Sequence, residues 1–179
     1  PILLSNCVAY RALVVAGFRR KALSLASFIK NELYQPDGGL YRSHQGGTSG
    51  ISGFLDDYAL TASAWLALYE ITFDEQWLRA ARELLNYANT HFKDPQSGLY
   101  FYTSALDDPL VLRKKELTDQ VIPSSNAVLA SAIYRLGQYD YDQDRLDEAL
   151  YMVNTMLPEM QGNPAAYAHW AQLVLQMSQ

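Results

Sequence analysis

Two adjacent carboxylates, Asp56 and Asp57, lie within Gly53-Phe54-Leu55-Asp56-Asp57-Tyr58-Ala59. They head a segment that carries only one further charge, Glu70, before Phe73. A helix apolar on all sides must be surrounded by protein, so acids at its mouth sit where a buried bundle meets solvent. Paired carboxylates there suit acid–base work on a polar, carbohydrate-type substrate. The positive end of the helix is expected to hold their pKa values down, which fits a base or nucleophile better than a proton donor. Acids at this position are also what an ordinary helix start shows.

Arg42 and His44 precede the pair in a glycine-rich loop. Arg42 could bind a hydroxyl or carboxylate, and His44 could shuttle a proton. Both also suit a plain solvent-exposed loop. Glu116, Asp119, Ser124, Ser125 and Asn126 form a second candidate group, which could supply a partner carboxylate as in glycoside hydrolysis. Helix capping explains those serines equally well. Tyr41, Tyr58, Tyr100 and Tyr102 could stack on sugar rings or simply pack, whereas Trp65 and Trp77 are expected in the core.

Other chemistries find little support. The net charge of −5 argues against nucleic acid, whose phosphates demand a basic face. Arg19-Arg20-Lys21 and Arg113-Lys114-Lys115 read as solvated surface. No run reaches the roughly 18 apolar residues of a membrane span. Cys7 is the only cysteine, so no internal disulfide can form, and a reducing, cytoplasmic compartment is the simplest reading. His44, His91 and His169 are scattered, so no metal site is expected. Neither a phosphate-binding loop nor a nucleophile elbow is present, and no cofactor is expected.

The elements that must position these residues repeat. Pro36-Asp37-Gly38-Gly39-Leu40-Tyr41 matches Pro95-Gln96-Ser97-Gly98-Leu99-Tyr100 at an offset of 59, and Ser5-Asn6-Cys7-Val8 echoes Ser125-Asn126-Ala127-Val128 at an offset of 120. Each unit of about 60 residues holds two helices, longer than the common helical repeats. First helices, poor in charge, are expected at about 5–17, 54–73 and 124–137. Amphipathic second helices are expected at about 19–34, 75–93 and 142–157, and a last helix at about 164–177. Asp74 and Ser124 or Ser125 are expected N-caps, Gly17 and Gly137 positive-φ C-terminal residues, and Pro158 a helix stop. In the connections, residues 38–52 and the runs Leu99–Tyr102 and Leu110–Leu112 are expected to form short β-hairpins. Alternating buried and half-buried helices predict an all-α fold. It is a partial α/α toroid of about three and a half helical hairpins, read as one domain over residues 1–179. The chain opens on Pro1 without a signal peptide, and is expected to be a piece of a longer protein.

The segment Gly53–Ala59, with Leu68-Tyr69-Glu70-Ile71-Thr72-Phe73-Asp74-Glu75-Gln76-Trp77-Leu78, resembles the helical region of thioredoxin-domain-containing proteins of the spermatogenesis-associated thioredoxin-like family. That family's Asp-Gly-x-x-Pro-Ser-x-Asn-Ser loop reads Asp119-Gln120-Val121-Ile122-Pro123-Ser124-Ser125-Asn126-Ala127 here, with Gln120 for Gly and Ala127 for the last Ser. The resemblance runs from about Asn6 to Pro158. It implies a toroid similar to six-hairpin glycosidases and N-acylglucosamine 2-epimerases. It also points to a carbohydrate-active site with Asp56 and Asp57 as catalytic groups, and Arg42, His44, Tyr58, Asp119, Ser124 and Asn126 binding a saccharide. No Cys-x-x-Cys is present, so thioredoxin chemistry does not carry over. The alternative is a non-catalytic scaffold that packs against a thioredoxin-like domain, another protein, a second copy or the rest of the ring.

Overall fold

The computed structural model describes residues 1–108 and 112–178. The chain folds as α1 (Ile2–Leu13), α2 (Ala16–Phe28), β1 (Tyr41–Gln45), β2 (Thr48–Ser52), α3 (Leu55–Thr72), α4 (Glu75–Phe92), α5 (Ser125–Asp140), α6 (Gln143–Gly162) and α7 (Ala168–Met177). A π-helical turn at Ile29–Leu33 extends α2, and a 3-10 turn at Pro164–Tyr167 leads into α7. It is an all-α partial toroid with one two-stranded hairpin among the described residues.

Two rows of helices follow from charge content. α3 is buried nearly all round, with Leu55, Tyr58, Ala59, Ala62, Trp65, Leu66 and Leu68 in the core. It packs between α1 and α5, and α5 in turn packs on α7. These four are the inner row. The outer row is α2, α4 and α6, each paired with the inner helix before it. α4 shows why: Trp77, Ala81, Leu84, Leu85 and Ala88 are buried along one stripe, while Arg79, Glu83 and Asn86 face solvent.

One device closes all three hairpins. Val14, Phe73 and Tyr141 end α1, α3 and α5 in the left-handed conformation, with φ of 55°, 55° and 54°. Each amide bonds back to a carbonyl of the last turn, on Tyr10, Tyr69 and Gly137 respectively. The next residue, Val15, Asp74 or Asp142, is already the N-cap of the following helix. Asp74 accepts the Gln76 amide at 3.0 Å, as expected. The glycines do not serve this purpose. Gly17 lies in the first turn of α2, and Gly137 lies inside α5. Gly137 is required by packing, since a Cβ there would come within 2.9 Å of Leu146.

Pro158 does not stop α6, which runs on to Gly162. A proline inside a helix removes one ladder bond, and here the affected turn is on the surface, with Asn154 and Pro158 both exposed, where water can serve the freed carbonyl. The first expected β-hairpin forms, with Tyr41 opposite Ser52 and His44 opposite Ser49. The second does not form among the described residues. Only an isolated bridge joins Lys93 to Tyr100, and Pro109, Leu110 and Val111 lie outside the described residues.

Candidate active site

Gly53 sets the approach to α3. Its amide bonds to the Leu40 carbonyl at 2.7 Å, and a Cβ would lie 3.0 Å from that oxygen and 3.2 Å from the Tyr58 ring. Only glycine lets the hairpin and the helix start come this close. Ile51, at φ 58°, interrupts the strand ladder opposite Arg42. Arg42 then reaches α3, where its Nη1 donates to Asp56 Oδ1 at 3.0 Å and to Asp57 Oδ2 at 2.7 Å.

The two carboxylates are held differently. Asp57 Oδ2 also accepts the Phe54 amide at 2.9 Å, the capping-box role of the third helical residue. Asp56 is the more buried, and its Oδ1 also accepts the Asp57 amide at 3.1 Å. Asp57 Oδ1 thus accepts no hydrogen bond among the described residues, while the Tyr102 hydroxyl lies against the Asp56 carboxylate. The Asp57 carboxyl is raised above its ordinary value, first by burial and then by the neighbouring Asp56 charge, against the opposing pull of the Phe54 amide and Arg42. This reverses the expectation from the helix dipole: removal from water outweighs the local field.

Aromatic rings wall one side. Phe54 and Tyr102 stack with centroids 5.1 Å apart, and the Arg42 guanidinium lies 5.1 Å from the Phe54 ring centre. The Tyr102 hydroxyl is pushed up to about 12, first by burial and then by the Asp56 charge, with Glu116 adding. Tyr102 and Glu116 also line a cleft of about 260 Å³ with Lys114, Lys115, Leu117, Thr118 and Gln120. Arg42, Asp56, Asp57 and Tyr102 therefore lie together at the start of α3, while Glu116 accepts the Ser125 amide at 3.2 Å and lines the cleft beside Tyr102. Phe54 gave no signal in the sequence, since an apolar residue at an N-cap position announces no function.

The other candidates are placed elsewhere or held by structure. His44 lies edge-on to Phe28, with Nδ1 3.0 Å from Ser49 Oγ and 3.8 Å from Glu32. Tyr58 is buried, stacked on Tyr87, with its hydroxyl accepting the Leu40 amide. Asp119 accepts the Ser124 amide at 2.8 Å and the His169 amide at 2.8 Å, tying α5 to α7. Ser124 caps α5 through the Ala127 amide. Asn126, fully buried, bridges the Tyr100 amide, the Tyr100 carbonyl and the Glu116 carbonyl. Among the described residues no group of three His, Cys, Asp or Glu side chains is placed to hold a metal, and no helix is long and apolar enough to cross a membrane.

The fold is the α/α toroid of six-hairpin glycosidase-like enzymes. D-mannose isomerase superposes with a TM-score of 0.72 at 16% identity, over 89% of this chain and 39% of that one. Cellobiose 2-epimerase from Bacillus thermoamylovorans gives 0.70 at 15% identity, over 85% and 41%. A third match is an inactive variant of the α-1,6-mannanase GH76A of Salegentibacter, in complex with α-1,6-mannotriose. It has two consecutive aspartates replaced by asparagine, and gives 0.69 at 17% identity, over 87% and 44%. No protein-family model matches the chain. By sequence the chain is a homologue of spermatogenesis-associated protein 20, and it corresponds to the helical region of that thioredoxin-domain-containing family. The mouse protein is 31% identical over 180 residues, which is 88% of this chain and 23% of that protein. The chain thus spans about a quarter of its relative's length.

Proposed function

We propose that this chain forms the acid–base rim of a carbohydrate-active toroid, acting on a saccharide by isomerase-, epimerase- or glycosidase-like chemistry. The observation that carries the reading is the pair Asp56–Asp57 at the mouth of the buried helix α3, clamped by one nitrogen of Arg42. Asp57, which holds its proton to higher pH than an ordinary carboxylate, is the proton donor. Asp56 is its partner. Because both contact one nitrogen, their bonded oxygens fall short of the roughly 6.5–9.5 Å that leaves room for an attacking water. The pair therefore suits proton transfer on the sugar, or retaining hydrolysis, better than inversion. Phe54 and Tyr102 offer a face on which a sugar ring can stack. The mannanase lends support, since its inactive form differs by substitution of two consecutive aspartates. Tyr102 is the proposed substrate contact beside Arg42; Tyr58, Asp119, Ser124 and Asn126 are engaged in packing and capping, as is Glu116, whose Oε2 accepts the Ser125 amide, and His44 lies against Phe28 and Ser49.

The test is NMR titration of the protein with mannose, cellobiose and α-1,6-mannotriose. Binding that perturbs Phe54, Tyr102 and the start of α3 supports the reading. Absence of perturbation there with all three sugars contradicts it.

A second reading, a helical scaffold, has its own observation. Ile2, Val8, Leu13, Val15 and Phe28 leave apolar side chains exposed on α1 and α2, surface suited to another protein, a second copy or further toroid hairpins.

A further inference from the structure

The concave face of the inner row carries a second polar site, at the far end of α3. Glu70 lies 13 residues beyond Asp57, roughly 20 Å along the helix at about 1.5 Å per residue. A cavity of about 470 Å³ opens beside it, lined from α1, α3, α5 and α7, with no contribution from the outer helices α2, α4 and α6. It therefore faces away from the outer layer. Its polar lining comprises Arg11, Glu70, Arg135, Gln138, Tyr139 and Gln176, together with the Tyr134 hydroxyl.

The hydrogen bonds there are unevenly spent. Glu70 Oε1 accepts from Arg135 at 2.5 Å and from the Tyr139 hydroxyl at 2.6 Å, and Oε2 accepts from Arg11 at 2.5 Å. The acceptor side of the cluster is thus occupied. The donor side is spent less fully: Arg11 donates only to Glu70, Arg135 also lies against the Tyr139 hydroxyl, Gln138 donates to the Tyr134 hydroxyl at 3.2 Å, and the Gln176 amide makes no such bond among the described residues. Burial works against the Glu70 charge, but Arg135, Tyr139 and Arg11 outweigh it and hold the carboxyl below its ordinary value. Cys7, close by, is pushed up to about 11 by burial and adds no charge. Two cations against one carboxylate leave one net positive charge at a half-enclosed cavity. A single arginine would suffice to pair Glu70; the second, Arg11, is more than half exposed and keeps its charge at the cavity mouth, where an incoming anion can meet it together with the more enclosed Arg135. Guanidinium forks fit planar and tetrahedral oxyanions through paired N–H bonds.

We propose that this cavity binds the oxyanion of a small ligand, a carboxylate or a phosphate, between Arg11 and Arg135, assisted by Gln138 and Gln176. The proposal stands whether or not the Asp56–Asp57 rim is catalytic.

The experiment is calorimetric titration of the protein with glucuronate, inorganic phosphate and neutral glucose, repeated on Arg11→Gln and Glu70→Gln. At least one anion should bind saturably while glucose does not, and which anion binds names the group. Arg11, more than half exposed, can be replaced with little risk to folding, and Arg11→Gln should weaken binding about tenfold or more. Glu70→Gln removes the competing carboxylate and should tighten binding, a gain that a purely structural cluster would not give. Lack of saturable binding by either anion, or equal binding by Arg11→Gln at unchanged circular dichroism, overturns the proposal.

Discussion

Asp57 accepts from Arg42 at 2.7 Å with the same oxygen that accepts the Phe54 amide at 2.9 Å. One carboxylate thus closes the first turn of α3 and anchors the hairpin to it. Capping and the proposed chemistry fall on one side chain, and the two roles separate by substitution. Asparagine retains a carbonyl oxygen for the Phe54 amide, so Asp57→Asn should change stability at neutral pH by less than about 1 kcal/mol, whereas Asp57→Ala should lose about 1–2 kcal/mol. Urea denaturation of the two variants checks this.

The acid limb of the stability curve should be set by other carboxylates. Asp94 is held down to about 2, first by the Lys115 ammonium that donates to it, then by the Gln96 amide and the Ser97 hydroxyl. Glu70 is lowered by its arginines. Both bind protons less readily folded than unfolded, so their contributions are full above the ordinary carboxylate range and are lost as pH falls through the folded values. Asp57 has the opposite sign. Its contribution is present below its ordinary value and is lost as pH rises through the raised one. Stability should therefore fall as pH drops from about 4.5 to about 2, with Glu70→Gln flattening that limb and Asp57→Asn slightly steepening it. Denaturation midpoints across this pH range check the signs.

Asn126 should prove structural. Its side chain satisfies the backbone of Tyr100 in both directions and the Glu116 carbonyl. Asn126→Ala leaves buried polar groups unpaired and should cost about 3 kcal/mol. If it instead folds with unchanged stability and loses only saccharide affinity, its position in the core has been misjudged.

Gly98 should be irreplaceable where Gly46 is not. Gly98 sits at φ +69°, and an added Cβ would collide with the Tyr151 ring, 2.8 Å from Cδ1. Gly98→Ala should cost about 1–2 kcal/mol of left-handed backbone strain, plus the displacement of the exposed Tyr151 ring. Gly46, at φ +60° with open space around it, should lose only about 1 kcal/mol as alanine. Thermal melts of the two variants separate strain from collision.

These residues also show what a sequence can carry. The burial of α3 was legible because its charges are so few, and the caps Asp74 and Ser124 because capping is local. The closure of the hairpins was not. Val14, Phe73 and Tyr141 adopt a backbone conformation that apolar residues rarely take, whereas the residues whose type suits it, Gly17 and Gly137, lie inside helices. The stacking of Phe54 on Tyr102 joins residues far apart in the chain, and no periodicity reports it. The Asp56–Asp57 position was legible from the chain, but the direction of the Asp57 shift was not. The helix dipole is a local quantity, whereas burial depends on the whole fold.

The most direct test of the central claim is turnover of mannose, cellobiose and α-1,6-mannotriose in D2O, followed by NMR, comparing the protein with Asp56→Asn and Asp57→Asn. The account predicts conversion or deuterium uptake for at least one sugar. It also predicts a loss of about 10²–10⁴-fold in either variant, with folding retained. Turnover of none of the sugars by the unsubstituted protein, or undiminished turnover by both variants, would contradict it.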